Sequence, residues 1–369
     1  MKKITILASL LIGLFFFTAC DDDRNSNPVL QEPTTFVLNT PAYSTVVYDL
    51  KQSSSIELTC SQPDYGFTAA TIYTVQVSLN NDFVTEGAYS TLSTTYTTAK
   101  MNVDAAEVAT AATNLALTDG KTEADFPIIT KVYIRLKAAL TNGNGEIYSN
   151  AISLDNVSVY FALKPVVLPT AMNILGEGLG SASPVSMIPT YDNDGTFWRI
   201  AYVTANGKLK FNTTKEFDGG EFGTTATLVD NANASLSGDG DIVVANAGWY
   251  LIVVKASIID RSITYTVEFN QPKVYLMGNT VGSWDVLDAN VFTVPADGTG
   301  FFESRALDAT DEVRMCVKLA DLDWWKTEFI VLADGIISYR GTGGDQERFV
   351  VNAGKHVYLN FMTGKGKYE

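Results

Sequence analysis

Residues 244–254 read VANAGWYLIVV, and residues 350–361 repeat the pattern as VVNAGKHVYLNF. In both segments an Asn-Ala-Gly turn leads into a short apolar run, which is typical of a β-strand that follows a turn. The segments that begin the two copies match as well, since MNILG at 172–176 corresponds to VYLMG at 274–278. Self-similarity of this kind indicates tandem copies of one structural unit. The sequence therefore predicts two copies of one β-domain.

Strand patterns also dominate the remainder of the chain. Apolar and polar residues alternate in TIYTVQVSL at 71–79, KVYIRLKAAL at 131–140 and ITYTVEF at 263–269, and glycine or asparagine clusters separate such segments. The alanine-rich stretch 103–117 is the exception, because it predicts a helix with Asp104 as its N-cap. We therefore expect an all-β protein that contains one helix.

The order of these patterns predicts three folded domains. Residues 30–163 show no internal repeat and have the size of an immunoglobulin-like sandwich. Proline-bearing links, KPVVLPT at 164–170 and a Gln-Pro pair at 271–272, introduce the two repeats. We expect an N-terminal immunoglobulin-like sandwich followed by two tandem β-sandwich domains, which occupy 165–270 and 271–369.

The N-terminus has the form of a secretory signal. Residues 1–20, MKKITILASLLIGLFFFTAC, comprise a basic pair, an apolar run and small residues. The final FTAC is similar to a bacterial lipobox, whose cysteine, here Cys20, receives diacylglycerol and becomes the first residue of the mature protein. Residues 21–29, DDDRNSNPV, form an acidic tether with too few apolar side chains to fold. We expect lipid on Cys20 to anchor the protein to a membrane; an unmodified cysteine near a cleavage site is the alternative.

Composition narrows the classes of function. A formal net charge of −15 argues against nucleic acid as a ligand, because phosphate binding requires a dense cationic surface. His356 is the only histidine, and no nucleophile motif lies near it, which argues against Ser-His-Asp or Cys-His catalysis. Besides Cys20 the chain has Cys60 and Cys316, too few for a disulfide framework, and we expect them to be packed or partly exposed thiols. Neither a metal site nor a cofactor is predicted.

Acidic residues leave two alternatives open. A glycosidase requires two carboxylates, and 41 Asp and Glu residues leave room for one, although none stands in a context that singles it out. The turns YDNDG at 191–195 and GDGD at 238–241 could present oxygen ligands to calcium. Neither turn is followed by the distal glutamate of a calcium loop, so ordinary turn chemistry is the favoured interpretation.

Residues 321–329, DLDWWKTEF, carry two of the five tryptophans. If this segment is extended, Trp324, Lys326 and Glu328 share one face, while Trp325 lies on the other face and packs inward. Trp324 would then face water beside a lysine, which is an unusual surface unless a ligand binds there. The segment therefore predicts a binding surface.

Two arginines and a third tryptophan of the last repeat are further candidates for this binding surface. Trp284 ends the loop GNTVGSW, Arg314 lies on the polar face of the strand pattern EVRMCVKL, and Arg340 lies in the turn SYRGTGG. An indole plane fits the apolar C–H face of a sugar ring, and an arginine fork can donate to adjacent hydroxyls. We predict a shallow sugar site made by these residues with Trp324 and Lys326; half-buried indoles beside a solvated charged edge are the alternative.

On these residues the chain resembles the SusE/SusF family, surface starch-binding lipoproteins of gut Bacteroidetes. The likeness covers nearly the whole chain: the lipobox with its acidic tail, the segment PTTFVLNTPAYSTVVYDLKQSSSIELTCSQPDYGF at 33–67, and the two repeats. Because it has two repeats, the chain is most similar to the SusE branch. The acidic run behind Cys20 also resembles the surface-export signal of such lipoproteins, which implies the outer face of the outer membrane. A solvated charge run without an address function is the alternative for that run.

The resemblance implies a site in the last repeat that pairs two aromatic platforms with basic residues. By position the platforms are Trp284 and Trp324, and the basic residues are Arg314 and Arg340. The assignment of Lys326 to the site depends on strand alternation alone. The family is non-catalytic, so the resemblance implies capture of the sugar without cleavage.

The middle repeat departs from this pattern. Here GSA replaces GSW, so Ala182 stands in the place of a tryptophan. We expect Lys210 to replace the strand arginine and Phe217 to lie near the place of the second tryptophan. Trp198 or Tyr191 is a candidate for the missing aromatic face.

The predicted function is that of a non-catalytic cell-surface lipoprotein that binds starch and maltooligosaccharides. The resemblance implies that it works beside a porin and other lipoproteins of a starch-utilisation system. The alternative is a structural or assembly component of an outer-membrane glycan-uptake complex whose sugar sites are weak or vestigial. An endo-acting glycosidase is a third alternative.

Overall fold

The computed structural model describes residues 29–369 except 218, 320 and 321. The chain divides into two compact units between Lys164 and Pro165. Both units consist mainly of strands, and the described residues contain a single α-helix. The predicted all-β class is therefore confirmed. The signal sequence, Cys20 and most of the acidic tether lie outside the described residues.

The N-terminal unit surrounds one core with a six-stranded sheet, a two-stranded ribbon and the helix. Its strands are β1 (Val47–Asp49), β2 (Ser55–Thr59), β3 (Thr71–Ser78), β4 (Tyr89–Tyr96), β5 (Lys100–Asp104), β6 (Ile128–Leu140), β7 (Ile147–Tyr148) and β8 (Ile152–Val159). The sheet has the order β1-β8-β6-β3-β4 with β7 beside β6, and β2 pairs with β5.

The helix of this unit, α1, spans Ala105–Thr118. It begins where the sequence predicts, because the carboxylate of Asp104 accepts hydrogen bonds from the backbone N–H groups of Ala106 and Glu107. Such a cap satisfies donors that have no partner within the helix. The predicted helix and its cap are confirmed.

The middle repeat is a sandwich of two five-stranded sheets. Its strands are β9 (Asn173–Gly176), β10 (Ser181–Ser186), β11 (Ile188–Pro189), β12 (Thr196–Val203), β13 (Gly207–Asn212), β14 (Thr227–Asp230), β15 (Leu236–Ser237), β16 (Ile242–Val244), β17 (Gly248–Ile259) and β18 (Ser262–Asn270). The sheets have the orders β10-β9-β13-β16-β15 and β11-β12-β17-β18-β14. Their inward side chains, among them Ile174, Phe211 and Phe197, form one core.

The last repeat has smaller sheets. Its strands are β19 (Val274–Met277), β20 (Phe302–Glu303), β21 (Asp311–Glu312), β22 (Arg314–Val317), β23 (Glu328–Val331), β24 (Ile337–Tyr339), β25 (Val350–Val351), β26 (Val357–Asn360) and β27 (Lys365–Tyr368). They pair in the orders β19-β22-β23-β24, β20-β26-β27 and β21-β25. The alternation predicted for β22 is confirmed, because Met315 and Val317 join the main core while Cys316 packs on the opposite side.

The two repeats share a hydrophobic core. Along β17, Trp249, Leu251 and Val253 pack with side chains of the last repeat, whereas Tyr250 and Ile252 face the core of the middle repeat. A strand whose two faces are both buried is apolar at successive positions rather than at alternate ones. This explains the unbroken apolar run WYLIVV at 249–254.

This shared core makes the repeats interdependent. Removal of 271–369 would uncover Trp198, Trp249, Leu251 and Val253, which are all almost fully buried. Each large apolar side chain contributes about 1.5–3 kcal/mol by burial, so four contribute roughly 6–12 kcal/mol. That sum is comparable with the whole stability of a domain, about 5–15 kcal/mol. A test of either repeat therefore needs the intact chain.

The two described cysteines are structural. Cys60 and Cys316 are both buried and unbridged. Burial raises the pKa of Cys60 to about 11 and that of Cys316 to about 12, so both thiols stay protonated and unreactive at neutral pH. Among the described residues, no helix has the length and apolar character needed to cross a bilayer. The same part of the chain contains no cluster of three or more His, Cys, Asp or Glu side chains suited to a metal ion.

Candidate functional site in the last repeat

A cleft of about 500 Å³ lies beside β22 and β23. Tryptophans, arginines, carboxylates and one asparagine line it: Trp284, Trp324, Trp325, Arg314, Arg340, Arg348, Asp311, Glu312, Glu328, Asp345 and Asn279. The structure thus brings together Trp284, Trp324, Arg314 and Arg340, which the sequence singles out from separate segments. Lys326 is not among the lining residues.

Trp284 and Trp324 form an angled aromatic pair in this cleft. Their ring centroids lie 5.3 Å apart, and the ring planes are inclined by 35°. Trp284 is 49% exposed, whereas Trp324 packs partly against Tyr275, Met277 and Cys316. One indole is therefore anchored by the protein, and the other presents a large apolar surface to solvent.

Two glycines in the preceding turn place Trp284. Gly278 has φ +91°, and a Cβ there would lie 3.1 Å from the Trp284 ring. Glycine therefore permits both the backbone conformation and the close approach of the indole. Gly282, at φ +69°, ends the short 3-10 helix Asn279–Val281 just before the tryptophan.

The segment DLDWWKTEF does not form the continuous strand that its alternation predicts. Trp324–Thr327 form a 3-10 helical turn, and β23 begins only at Glu328. Successive side chains in a 3-10 helix point about 120° apart rather than to opposite faces. Trp324 and Trp325 therefore both reach the cleft, and Glu328 is buried instead of exposed. The prediction of one inward and one outward tryptophan is wrong.

Glu328 is the centre of an ion-pair network behind the indoles. Its Oε1 accepts from Arg314 Nη1 at 2.6 Å, and its Oε2 accepts from Arg340 Nη1 at 3.1 Å. Arg314 Nη2 also donates to Glu312 at 3.3 Å, and both arginines lie within 4 Å of Asp345. The Arg314 and Glu328 side chains are only 5% and 1% exposed, so each charge depends on the other.

Nearer the solvent, a second set of polar contacts borders the cleft. Arg348 donates to Glu312 at 3.0 Å and to Asp345 at 3.4 Å. The hydrogen bond to Glu312 raises the pKa of Arg348, so its guanidinium stays charged. The pKa of Asp311 is lowered because the backbone N–H of Glu312 and the side chain of Asn279 donate to its carboxylate. Arginines and carboxylates thus offset one another around the cleft.

Lys326 lies at the boundary with the middle repeat, outside the cleft. Its ammonium group forms an ion pair with Asp192, and this hydrogen bond raises the pKa of Lys326. Its backbone carbonyl accepts from the N–H of Tyr191 at 3.1 Å. Strand alternation placed Lys326 beside Trp324 because it took no account of the 3-10 turn. The structure corrects that placement.

The middle repeat has an equivalent cleft, of about 620 Å³. In its sheet Lys210 pairs with Leu175, just as Arg314 pairs with Met277 in the last repeat. Lys210 therefore occupies the position of Arg314, as predicted. Its ammonium group forms an ion pair with Glu221 at 3.1 Å.

The aromatic positions of the two clefts can be matched in the same way. Phe222 pairs with β13 as Phe329 pairs with β22. Phe217 precedes Phe222 by as many residues as Trp324 precedes Phe329, so Phe217 holds the position of that tryptophan. The same count places Glu221 at the position of Glu328.

The second indole of the last repeat has no counterpart in the middle repeat. Ser181 pairs with Gly176 as Ser283 pairs with Gly278, so Ala182 follows at the position of a tryptophan. The described lining of the middle cleft consists of Leu175, Gly176, Glu177, Gly180, Ser181, Lys208, Leu209, Lys210 and Asp241. These lining residues include no aromatic side chain.

Neither candidate for the missing aromatic face serves the middle cleft. Trp198 is fully buried in the shared core, where its ring lies 6.1 Å from Phe329 and 5.5 Å from Tyr339. Tyr191 packs against Trp325 of the last repeat. Both predictions fail because the sheet that bears these residues faces the last repeat, which sequence proximity does not reveal.

Several residues of the cleft are not predicted by the sequence. Strand alternation places Trp325 in the core and Glu328 on the exposed face, whereas both line the cleft. An acid that opens an apolar run, as in EFIV at 328–331, is a signal for a buried and paired carboxylate. Asp345 and Arg348 lie in a polar loop without periodicity, so no sequence signal distinguishes them.

Two fused β-sandwich repeats with an open, tryptophan-lined cleft have the architecture of a modular binding protein. The chain belongs to the SusF/SusE family: the family model described as SusF/SusE starch-specific CBMs matches residues 171–266 and 273–367. A second family model, described as SusE outer membrane protein, matches residues 22–137. The protein is accordingly an outer-membrane protein, and the resemblance seen in the sequence is confirmed.

One curated relative and one solved structure support this assignment. Outer membrane protein SusF of Bacteroides thetaiotaomicron is 36% identical over an alignment of 234 residues, and the match covers 59% of this chain and 47% of the relative. The matched region thus spans about half the length of that relative. The crystal structure of SusF from Bacteroides thetaiotaomicron aligns with a TM-score of 0.50 and 22% identity over 91% of this chain and 99% of that chain. At that identity the likeness shows the fold.

Proposed function

We propose that this protein binds α-glucan chains without cleaving them, at the cleft of the last repeat. The observation that carries the proposal is the pair of Trp284 and Trp324, whose ring centroids lie 5.3 Å apart with planes inclined by 35°, and in which Trp284 is open to solvent. Two inclined apolar planes suit a curved chain of glucose rings, each of which offers an apolar C–H face. The match to a family of starch-specific modules supports the same ligand class.

The charges of the cleft favour a neutral ligand. Arg314, Arg340 and Arg348 are each paired with a carboxylate, so the cleft offers polar donors and acceptors without a dominant charge. A sugar hydroxyl can join such a network at its exposed border, where Arg348 lies. Both oxygens of Glu328 accept from arginines, which opposes a role as a general acid. Binding rather than hydrolysis therefore fits this geometry.

A shallow site of this kind binds a short oligosaccharide weakly. We expect a dissociation constant of about 0.1–1 mM for maltoheptaose, which corresponds to roughly −4 to −5.5 kcal/mol. A polymer presents the same epitope many times, so retention near the cell rises with chain length. The proposed role is to hold starch at the cell surface.

The proposed location is the extracellular face of the outer membrane, with a lipid on Cys20 as the anchor. FTAC at the end of the signal sequence and the acidic run behind it support this proposal. Replacement of Cys20 by alanine should release the protein from the membrane fraction, and retention there would contradict lipidation. Protease added to intact cells should cut the unaltered protein; its survival until lysis would contradict surface exposure. A porin and other lipoproteins of a starch-utilisation system are the proposed partners.

Affinity electrophoresis in amylopectin gels tests the binding proposal. The unaltered protein should be retarded, and the Trp284→Ala, Trp324→Ala double variant should migrate as in a gel without polysaccharide. Tyr43→Ala is the matched control, because Tyr43 is an exposed aromatic residue of the N-terminal unit. An assay for new reducing ends after incubation with starch should stay at background.

The same two assays distinguish the proposed function from its alternatives. If the unaltered protein is not retarded by any α-glucan, the binding proposal fails and a structural role in a glycan-uptake complex is favoured. If reducing ends accumulate, the non-catalytic assignment fails. If the double variant is retarded like the unaltered protein, the site lies elsewhere.

A further inference from the structure

The turn that follows β11 of the middle repeat forms the wall behind the cleft of the last repeat. Tyr191 lies in this turn, and its backbone N–H donates to the carbonyl of Lys326 at 3.1 Å. Its ring meets Trp325 edge to face, with centroids 5.0 Å apart and planes at 69°. Tyr191 itself is not among the residues that line the cleft. It therefore contacts the site from behind.

Arg340 packs against two aromatic rings at this wall. Its guanidinium carbon lies 4.7 Å from the centroid of Tyr191 and 5.1 Å from that of Trp325. Glu328 accepts a hydrogen bond from Nη1, but Nε is buried and has no hydrogen-bond partner within the described part of the chain. Asp345 lies 3.7 Å from Nη1, and the electron-rich faces of the two rings supply further electrostatic contacts of this cation.

The turn that carries Tyr191 is itself well fixed. The hydroxyl of Thr190 and the backbone N–H of Thr196 both donate to the carboxylate of Asp194 at 3.0 Å. Next to the tyrosine, Asp192 forms the ion pair with Lys326. These contacts hold the ring of Tyr191 in place relative to the last repeat.

We propose that Tyr191 is a positioning residue for the glycan site of the last repeat, acting through Arg340 and Trp325. The middle repeat would then complete a site that belongs to its neighbour, although its own cleft lacks the aromatic pair. The inference rests on the proposed function, because the ligand is the same α-glucan chain. It assigns the acidic turn YDNDG a role in orienting the binding residues of the last repeat.

Calorimetric titration of the full chain with maltoheptaose tests the proposal. Tyr191→Leu should weaken binding about five- to tenfold, because Arg340 loses one of its two aromatic faces. Tyr191→Phe keeps the ring and should bind within about twofold of the unaltered protein, since the contacts with Arg340 and Trp325 use the ring rather than the hydroxyl.

Tyr202→Leu is the matched control for effects on the contact between repeats. Tyr202, like Tyr191, is a tyrosine of the middle repeat; it packs against the shared core but does not line the cleft or contact Arg340. This variant should bind maltoheptaose normally, even if its melting temperature falls. An equal loss of affinity in Tyr202→Leu and Tyr191→Leu would overturn the proposal, because it would indicate a general structural effect.

A double-mutant cycle identifies the route by which Tyr191 acts. In the Arg340→Gln background, Tyr191→Leu should weaken binding by at most about twofold, because the cation that the ring positions is gone. A full and independent loss in that background would overturn the route through Arg340. If the unaltered protein binds and Tyr191→Leu binds equally well, the inference fails alone. If the unaltered protein does not bind maltoheptaose, the proposed function fails and the inference fails with it.

Discussion

The clefts of the two repeats are built on the same strand framework but differ in what lies on it. Arg314 and Lys210 hold equivalent positions, and each forms an ion pair with a glutamate on the neighbouring segment. The last repeat adds a pair of indoles, whereas the middle repeat has Phe217 and Ala182 at those positions. The framework and the ion pair can therefore be kept while the aromatic platform changes.

The two ion pairs also differ in burial. The side chains of Arg314 and Glu328 are 5% and 1% exposed, whereas those of Lys210 and Glu221 are 31% and 27% exposed. Glu328 also forms an ion pair with Arg340, so its carboxylate neutralises two cations. Equivalent ion pairs should therefore contribute different amounts to the stability of the two repeats.

The largest expected effect concerns these glutamates. Glu328→Gln leaves the buried Arg314 and the partly buried Arg340 without their shared carboxylate and should lower the free energy of unfolding by about 3 kcal/mol. Glu221→Gln disrupts a partly exposed pair and should cost under about 1 kcal/mol. Urea titrations followed by tryptophan fluorescence measure both, because all five tryptophans lie in the C-terminal unit. Equal losses for the two variants would contradict the difference in burial.

An intermediate effect is expected from converting the last cleft toward the middle one. Trp284→Ala places alanine at the position that Ala182 holds in the middle repeat, and it should weaken maltoheptaose binding about tenfold, or 1–2 kcal/mol. Because Trp284 is half exposed, the melting temperature should hardly change. Phe217→Ala is the counterpart in the middle repeat and should leave calorimetric affinity within about twofold. A comparable loss from Phe217→Ala would show that both clefts bind.

The smallest effect is expected from the reverse exchange. Ala182→Trp adds an indole at the position equivalent to Trp284 and should strengthen retardation in amylopectin by about two- to fivefold, because a second weak contact adds to the first on a long chain. Binding of the short ligand to the last repeat should not change. Unaltered retardation would mean that the framework of the middle cleft cannot present an aromatic platform.

A second contrast between the repeats lies in the matching segments 244–254 and 350–361. In the middle repeat WYLIVV is buried on both faces, because one face belongs to its own core and the other to the shared core. In the last repeat Val357 and Leu359 face the shared core, and Tyr358 between them is only partly buried. The first copy has the more continuous apolar run because its strand is buried on both faces.

Local sequence patterns are sufficient to predict the fold class and several individual positions of this protein. Strand alternation, the N-cap Asp104 and the internal repeat depend on neighbouring residues or on direct similarity, so the all-β class and the helix could be predicted. The indole of Trp284 could be placed in a loop because Gly278 and Gly282 mark the turn before it. Lys210 could be matched to Arg314 because both stand at one position of a repeated strand.

Only the tertiary structure decided how these parts combine. The turn at Trp324 depends on packing against β22, so alternation alone assigned the wrong faces to Trp325 and Glu328. Trp198 lies in the core and Tyr191 lies beside Arg340 because β11, β12 and β17 of the middle repeat, with the turn after β11, pack against the last repeat. Such contacts join residues far apart in sequence, and local periodicity carries no information about which surfaces meet.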